Sequence, residues 1–304
     1  MRKEHGFVVW GLALLAAALG SPLSAQEEAK PEANAGDAKE APASIFADPN
    51  LEAAVRKYVF EKRYNSEPIT AQDVADLSTI EARGKEIKSL AGLEHCRSLA
   101  LLSLPENEIE DLTPISGLKN LQLLDLSKNK IRDVAPLREL VKLQYLQLEG
   151  NRIQDITPLE GLSALTSLYL SGNAIEDIRP IAKLEKLWSL YLDGNRVRDP
   201  SPLAKLNRLS SLDLRSNRIE DLRPLAGLGE LRYLFLDHNE LDGDDLAVLV
   251  EMAERDAAGE KRFAPYLQVF LSGNAIEESD PRLAKLRELV KKVDYKKVSK
   301  RVEL

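Results

Sequence analysis

Residues 121–140 read LQLLDLSKNKIRDVAPLREL, and the neighbouring stretches of the chain repeat that pattern with small changes. Leu121, Leu124, Leu126, Ile131, Val134, Leu137 and Leu140 keep fixed offsets from Asn129. Asparagine returns at Asn107, Asn129, Asn151, Asn173, Asn195, Asn217 and Asn239, an unbroken spacing of 22 residues. A period of this length marks a solenoid, in which no single unit can bury a core and stacked units bury a continuous one. Leu124 and Leu126 alternate as a short strand with one face inward, while Ile131, Val134, Leu137 and Leu140 supply apolar contacts on the turn and the return path. Strands of successive coils are therefore expected side by side and parallel. Each asparagine stands where the chain leaves the strand, and its amide can both donate to and accept from otherwise unpaired backbone groups. A buried asparagine ladder with a structural role is expected. The series Asp111, Asp133, Asp155, Asp177, Asp199 and Asp221 is expected to cap a short helical turn on the outer side.

These residues resemble leucine-rich repeats. The second half of each unit, -x-I-x-D-[IVL]-x-P-[LI]-, is similar to the internalin-like bacterial subclass, a relative of the repeats of equal length in a regulatory subunit of protein phosphatase-1. The opening FADPNLEAAV (46–55) and the stretch ITAQDVADLSTIEARGKEIKSLAGLE (69–94) resemble the N-terminal cap and first degenerate repeat of that group. The resemblance covers Ile45 to Ile276. It implies an α/β solenoid, a right-handed coil with a concave parallel β-sheet, short helical turns on the convex side and helical caps at both ends.

Departures from the period mark ends and irregular parts. Lys85 occupies the ladder position of the first coil. Asp199-Pro200-Ser201-Pro202 lacks the aliphatic residue found there in other coils, which predicts a looser outer turn. After Asn239 the next matching asparagine is Asn274, 35 residues on. Leu246, Leu249, Val250 and Ala253 recur at helical spacing after Asp244 and Asp245, so the extra length is read as an α-helix ending near Gly259. Asp48-Pro49 opens a helix whose buried face is Leu51, Val55, Tyr58 and Val59, Thr70 with Asp73 forms a capping box, and Asp280-Pro281 starts a last helix through Leu283, Leu286 and Val290. The chain divides into a signal peptide (1–25), a disordered linker (26–44), a helical N-terminal cap (45–79), the repeat domain (80–279, with an insertion at 242–262) and a C-terminal helical cap with a basic tail (280–304).

The signal assignment rests on Arg2 and Lys3 ahead of the apolar run Phe7 to Leu19, followed by small residues as far as Ala25. That run spans about 20 Å as a helix, short of the roughly 30 Å of a bilayer core, and predicts cleavage after Ala25, or alternatively after Gly20. No cysteine follows either site, so a lipid anchor is not expected and the protein is placed outside the cell or in the periplasm and envelope. The 19 residues from Gln26 to Ser44 hold no large aliphatic or aromatic side chain and cannot build a core. Among the 304 residues, 49 acids against 42 bases give a net charge of −7, which disfavours a nucleic-acid binder. Cys96 is the one cysteine, so no intramolecular disulfide can form, and it is read as a packed thiol. From Pro281 onward nine Lys or Arg face three acids. This tail is read as a solvated cap face, with docking to an anionic polymer or membrane surface as the minority reading.

Function is expected on the concave face, at positions six, four and two before each asparagine. The fourth-back column reads Ser103, Asp125, Gln147, Tyr169, Tyr191, Asp213, Phe235, Phe270. Of the 24 concave positions, six are aromatic in a chain that is 5% aromatic: Tyr145, Tyr169, Tyr191, Tyr233, Phe235 and Phe270. Large rings displayed on a rigid sheet are the chemistry of interface anchors. Arg215, between Asp193 and Asp237 on adjacent strands, is expected to share a salt-bridge ladder with them. Asp213 and Asp237 fall roughly 8 Å apart, the separation of an inverting glycosidase pair, but Arg215 is expected to keep both ionised and the sheet has no deep pocket. Together these residues predict a monomeric, non-enzymatic binding module of eight or nine strands with a protein partner, needing no cofactor and no metal. Carbohydrate bound by Tyr169 and Tyr191 beside serines is the alternative, and a passive envelope scaffold is a third reading.

Overall fold

The computed structural model describes residues 43–259 and 263–296. The expected signal peptide, nearly all of the linker and the end of the basic tail lie outside the described residues. In chain order the elements are α1 (Pro49–Arg56), α2 (Ala71–Val74), β1 (Thr79–Glu81), β2 (Leu101–Ser103), β3 (Leu123–Asp125), β4 (Tyr145–Gln147), β5 (Ser167–Tyr169), β6 (Ser189–Tyr191), β7 (Ser211–Asp213), β8 (Tyr233–Phe235), α3 (Gly243–Ala258), β9 (Gln268–Phe270), α4 (Pro281–Leu289) and β10 (Lys292–Asp294). The strands form one parallel sheet in sequence order, β1 to β10. Eight or nine strands were expected and ten are present. The tenth, Lys292–Asp294, carries no repeat signature and pairs only with β9, which is all that an edge strand requires.

Each strand is three residues long because the coil leaves room for no more before it must turn. The central residue points inward, and Leu124, Leu146, Leu168, Leu190, Leu212 and Leu234 are fully buried and in register with one another. Immediately before the ladder asparagine the backbone enters the left-handed region in every full repeat. Gly150, Gly172 and Gly194 fill that place at φ +66°, +65° and +66°, where a side chain would be strained. The asparagine then ties two coils together. Asn129 donates from Nδ2 to the carbonyls of Leu126 in its own coil and Leu104 in the coil before, both at 3.0 Å, and its Oδ1 accepts from Ile109 N at 3.0 Å. The same three bonds recur at Asn151, Asn173, Asn195, Asn217 and Asn239. The expected ladder is present. Lys85, at the degenerate first rung, contributes its backbone N–H to Asn107 Oδ1 and leaves its side chain in solvent.

On the convex side each coil makes a short 3-10 turn. The expected aspartates stop the free N–H at its start: Asp111, Asp133, Asp155, Asp177, Asp199 and Asp221 each accept from the backbone N–H two residues on, at 2.8–2.9 Å. The turn at Asp199-Pro200 was expected to be looser. Instead it keeps the same bond, and the Pro200 ring is buried where other coils place an aliphatic side chain.

The ends are covered by the helices anticipated from their caps. Asp48 Oδ1 accepts from Asn50 N and Leu51 N to start α1, while its Oδ2 accepts from Lys88 N and Ser89 N, so one carboxylate fastens the cap to the first coil. Tyr58 covers the open edge of β1 by accepting from Glu81 N at 3.0 Å. The long insertion is α3, capped by Asp242 and Asp245 and packed against α4. Cys96 is buried, and burial pushes its thiol up to about 12, consistent with a packed rather than reactive group. Among the described residues no helix is long and apolar enough to cross a membrane.

Candidate functional site

Strand alternation sends the residues flanking each buried leucine to the concave face, where their neighbours are the matching residues of adjacent coils. Tyr169 and Tyr191 are in register and stack with centroids 4.8 Å apart and planes 9° off parallel. Tyr145, one column over, tilts at 41° against Tyr169 at 5.2 Å, and its hydroxyl donates to Gln147 Oε1 at 2.7 Å. Farther along, Phe235 and Phe270 stack at 4.6 Å, with Tyr233 at 6.3 Å from Phe235. All six rings are half-buried. Burial raises the hydroxyl pKa of Tyr145 and of Tyr169 above the usual phenol value. The residues singled out from the sequence thus form two aromatic groups on one face.

Between the groups lies β7, where Asp213 sits in register with Tyr191 on one side and Phe235 on the other. Here the structure corrects the sequence reading. Asp213 was expected at the surface, yet its side chain is 1% exposed. Arg215 does not bridge Asp193 and Asp237. It folds back on its own strand, donating from Nε and from the terminal guanidinium nitrogen to Asp213 at 2.9 and 2.5 Å. Its guanidinium also lies 5.1 Å from the Phe235 ring centroid. Tyr191 closes the other flank, with its hydroxyl 2.9 Å from Ser211 Oγ. The missing ring of the row is therefore replaced by an internal ion pair, and the row runs on as tyrosines, guanidinium and phenylalanines. Lys292 of β10 ends it, 4.7 Å from the Phe270 ring.

Asp193 is half-buried and outside that pair, and Asp237 accepts from Ser272 N at 2.9 Å. The expectation that Arg215 dominates the charge state of Asp213 and Asp237 also fails. Burial is the largest influence on both and raises both carboxyls above the ordinary range, against the opposing pull of the Arg215 guanidinium. This does not create an acid and base pair, because Asp213 has almost no surface left to offer a substrate.

Tyr169 and Tyr191 each cover one face of the other, which takes that face away from a partner. Sequence reading missed several exposed aromatic side chains. Phe60 and Tyr64 project from the N-terminal cap at 76% and 90% exposure, with the Arg63 guanidinium 4.1 Å over the Phe60 ring. Trp188 lies just before the start of β6, 58% exposed. The signal for it was compositional: apart from Trp10 it is the chain's one tryptophan, at a position seven before Asn195 where the coils from Asn107 to Asn239 otherwise carry small or polar residues.

The family model for leucine-rich repeats (2 copies) matches residues 119–161 and 141–183. Among solved structures, internalin C2 from Listeria monocytogenes is 27% identical, with a TM-score of 0.60 over 86% of this chain and 100% of that one. A leucine-rich-repeat protein of Leptospira interrogans is 22% identical, with a TM-score of 0.52 over 67% of this chain and 62% of that one. A plant peptide hormone receptor, solved in complex with RGF2, is 21% identical, with a TM-score of 0.54 over 67% of this chain and 33% of that one. The last two show a shared fold alone. None of the curated proteins compared with the chain matches it. With its 22-residue asparagine ladder, capped parallel sheet and likeness to a Listeria internalin, the chain is an internalin-like leucine-rich-repeat protein.

Proposed function

We propose that this is an exported, non-enzymatic binding protein that recognises a protein partner through its concave sheet. The observation that carries the reading is the composite row Tyr145, Tyr169, Tyr191, Arg215, Phe235 and Phe270, held on paired strands with little freedom to lose on binding. Pre-stacked rings supply contact area, and half-buried Asp193 and Asp237 add polarity beside them. Ten strands at about 4.8 Å give a face of more than about 40 Å, comparable with an ordinary protein interface. The plant receptor solved in complex with RGF2 supports the fold's use in ligand recognition. The stacking of Tyr169 on Tyr191 weighs against carbohydrate between them, since it takes one face of each ring away from a sugar. Export follows from the N-terminal charge and apolar run, and is checked by sequencing the N-terminus of the mature protein.

The test is cross-linking capture in the native organism, comparing wild type with a triple Tyr145/Tyr169/Tyr191 alanine variant. A protein recovered by wild type and lost by the variant supports the reading. Identical recovery by both would leave the sheet as a passive scaffold.

A further inference from the structure

The rings on the concave face stack on one another, and Trp188 stands apart from them. The indole stands just before β6, and among the described residues no aromatic ring stacks on it. The backbone beneath it is fixed: Trp188 N donates to Thr166 O at 2.8 Å, and its carbonyl accepts from Ser210 N and Ser211 N. The ring walls a groove of about 520 Å³ running across the ends of strands β5 to β8. Three strand steps make that groove roughly 14 Å long. Lys186, Arg208 and Arg232 line it against one acid, Glu230. None of the three cations takes part in an ion pair within the described residues, and the Arg232 guanidinium lies 5.4 Å from the ring centroid of Tyr266, itself 50% exposed. The floor is hydroxylic. Ser210 is buried there, and the Thr166 hydroxyl, donating to Gln144 O at 3.0 Å, keeps lone pairs free to accept.

We propose that this lateral groove binds a carboxylated glycan of the uronate type. The open indole face receives the C–H face of a sugar ring, the floor hydroxyls and Asn207 meet its hydroxyl groups, and the three cations take its carboxylates. An acidic peptide would feel the same charges but gains little else. Strands β5 to β8 are each paired on both sides, so no free edge remains to bind a peptide backbone, and the indole is the one large apolar wall. The site is separate from the concave row and does not rest on a protein binding there.

The experiment is titration calorimetry of the full chain with tetragalacturonate, a neutral galactose tetramer and a hexaglutamate peptide. Tetragalacturonate binds, more weakly as salt rises, and its Kd increases by about tenfold or more in Trp188→Ala and in the double variant Arg208→Gln/Arg232→Gln. Trp188→Phe keeps a ring face and recovers most of the loss, Tyr191→Ala leaves the Kd unchanged, and the neutral tetramer binds at least about tenfold more weakly. Thermal unfolding followed by circular dichroism confirms that the exposed Trp188→Ala variant is folded. Absence of binding by tetragalacturonate, an unchanged Kd in Trp188→Ala, or equally tight binding of hexaglutamate overturns the proposal.

Discussion

The asparagine ladder and the aromatic row belong to the same coils and stand four residues apart in sequence, yet they obey opposite rules. The ladder repeats one side chain from Asn107 to Asn274, each amide closing the same backbone gap. The row changes from coil to coil, through Ser103, Asp125, Gln147, Tyr169, Tyr191, Asp213, Phe235 and Phe270. Inside the solenoid every coil meets an identical neighbour, so one solution serves throughout. On the concave face the coil's own geometry imposes no one side chain, so residues there can differ from coil to coil. Repetition thus marks the parts that hold the fold, and variation marks the parts available for recognition.

That comparison is broken most severely by touching the ladder. Asn151→Ala would orphan Ile131 N–H and leave the carbonyls of Leu126 and Leu148 with one amide donor each, from Asn129 and Asn173. The orphaned N–H costs about 1–3 kcal/mol and each of the two lost amide bonds about 0.5–1.5 kcal/mol, so urea unfolding is expected to show a loss of about 3 kcal/mol. A loss under about 0.5 kcal/mol, the ordinary surface range, would mean the amides do not hold the coils together.

Arg215→Met tests the buried carboxylate of the variable face, Asp213. Removing one partner of a buried pair costs about 3 kcal/mol, and here the cost depends on pH. Burial already raises the Asp213 carboxyl in the folded state, and loss of the guanidinium raises it further. The folded variant then holds a proton that the unfolded chain has released. Its stability is therefore greatest below the ordinary carboxylate pKa and is lost as pH rises through the folded value. Denaturation at pH 4 and pH 7 should show the smaller deficit against wild type at pH 4. A deficit independent of pH would remove the buried carboxylate from the account.

Tyr169→Ala takes the middle ring from the tyrosine group and should cost about 1–2 kcal/mol in stability while abolishing partner association. Unchanged association would reduce the row to a sheet-stabilising device. The smallest effect is expected on the convex side. Asp155→Ala removes an outer-turn cap worth about 1 kcal/mol and should leave association untouched, whereas loss of association would move recognition to the outer turns.

The period made the ladder, the buried leucine column and the aspartate caps legible in the sequence, because each depends on register alone, and helical spacing inside the insertion made α3 legible. Depth on the concave face was not legible. Alternation tells which way Asp213 points, but its burial is set by the size and lean of Tyr191, Phe235 and Arg215 around it. The preference of Arg215 for its own strand likewise follows from the closeness of residues two apart on one face, which competed with cross-strand partners that counting had favoured. Trp188 escaped because it lies just outside the columns counted, and β10 because an edge strand needs no asparagine and one neighbour only.

The most direct test of the concave face as the recognition surface is site-specific photo-cross-linking in the native organism. A benzophenone side chain would replace Ser171, beside Tyr169, in one variant and Thr157, on an exposed outer turn, in another. The account predicts a discrete protein adduct from position 171 and none from position 157. An adduct from position 157 alone would contradict it.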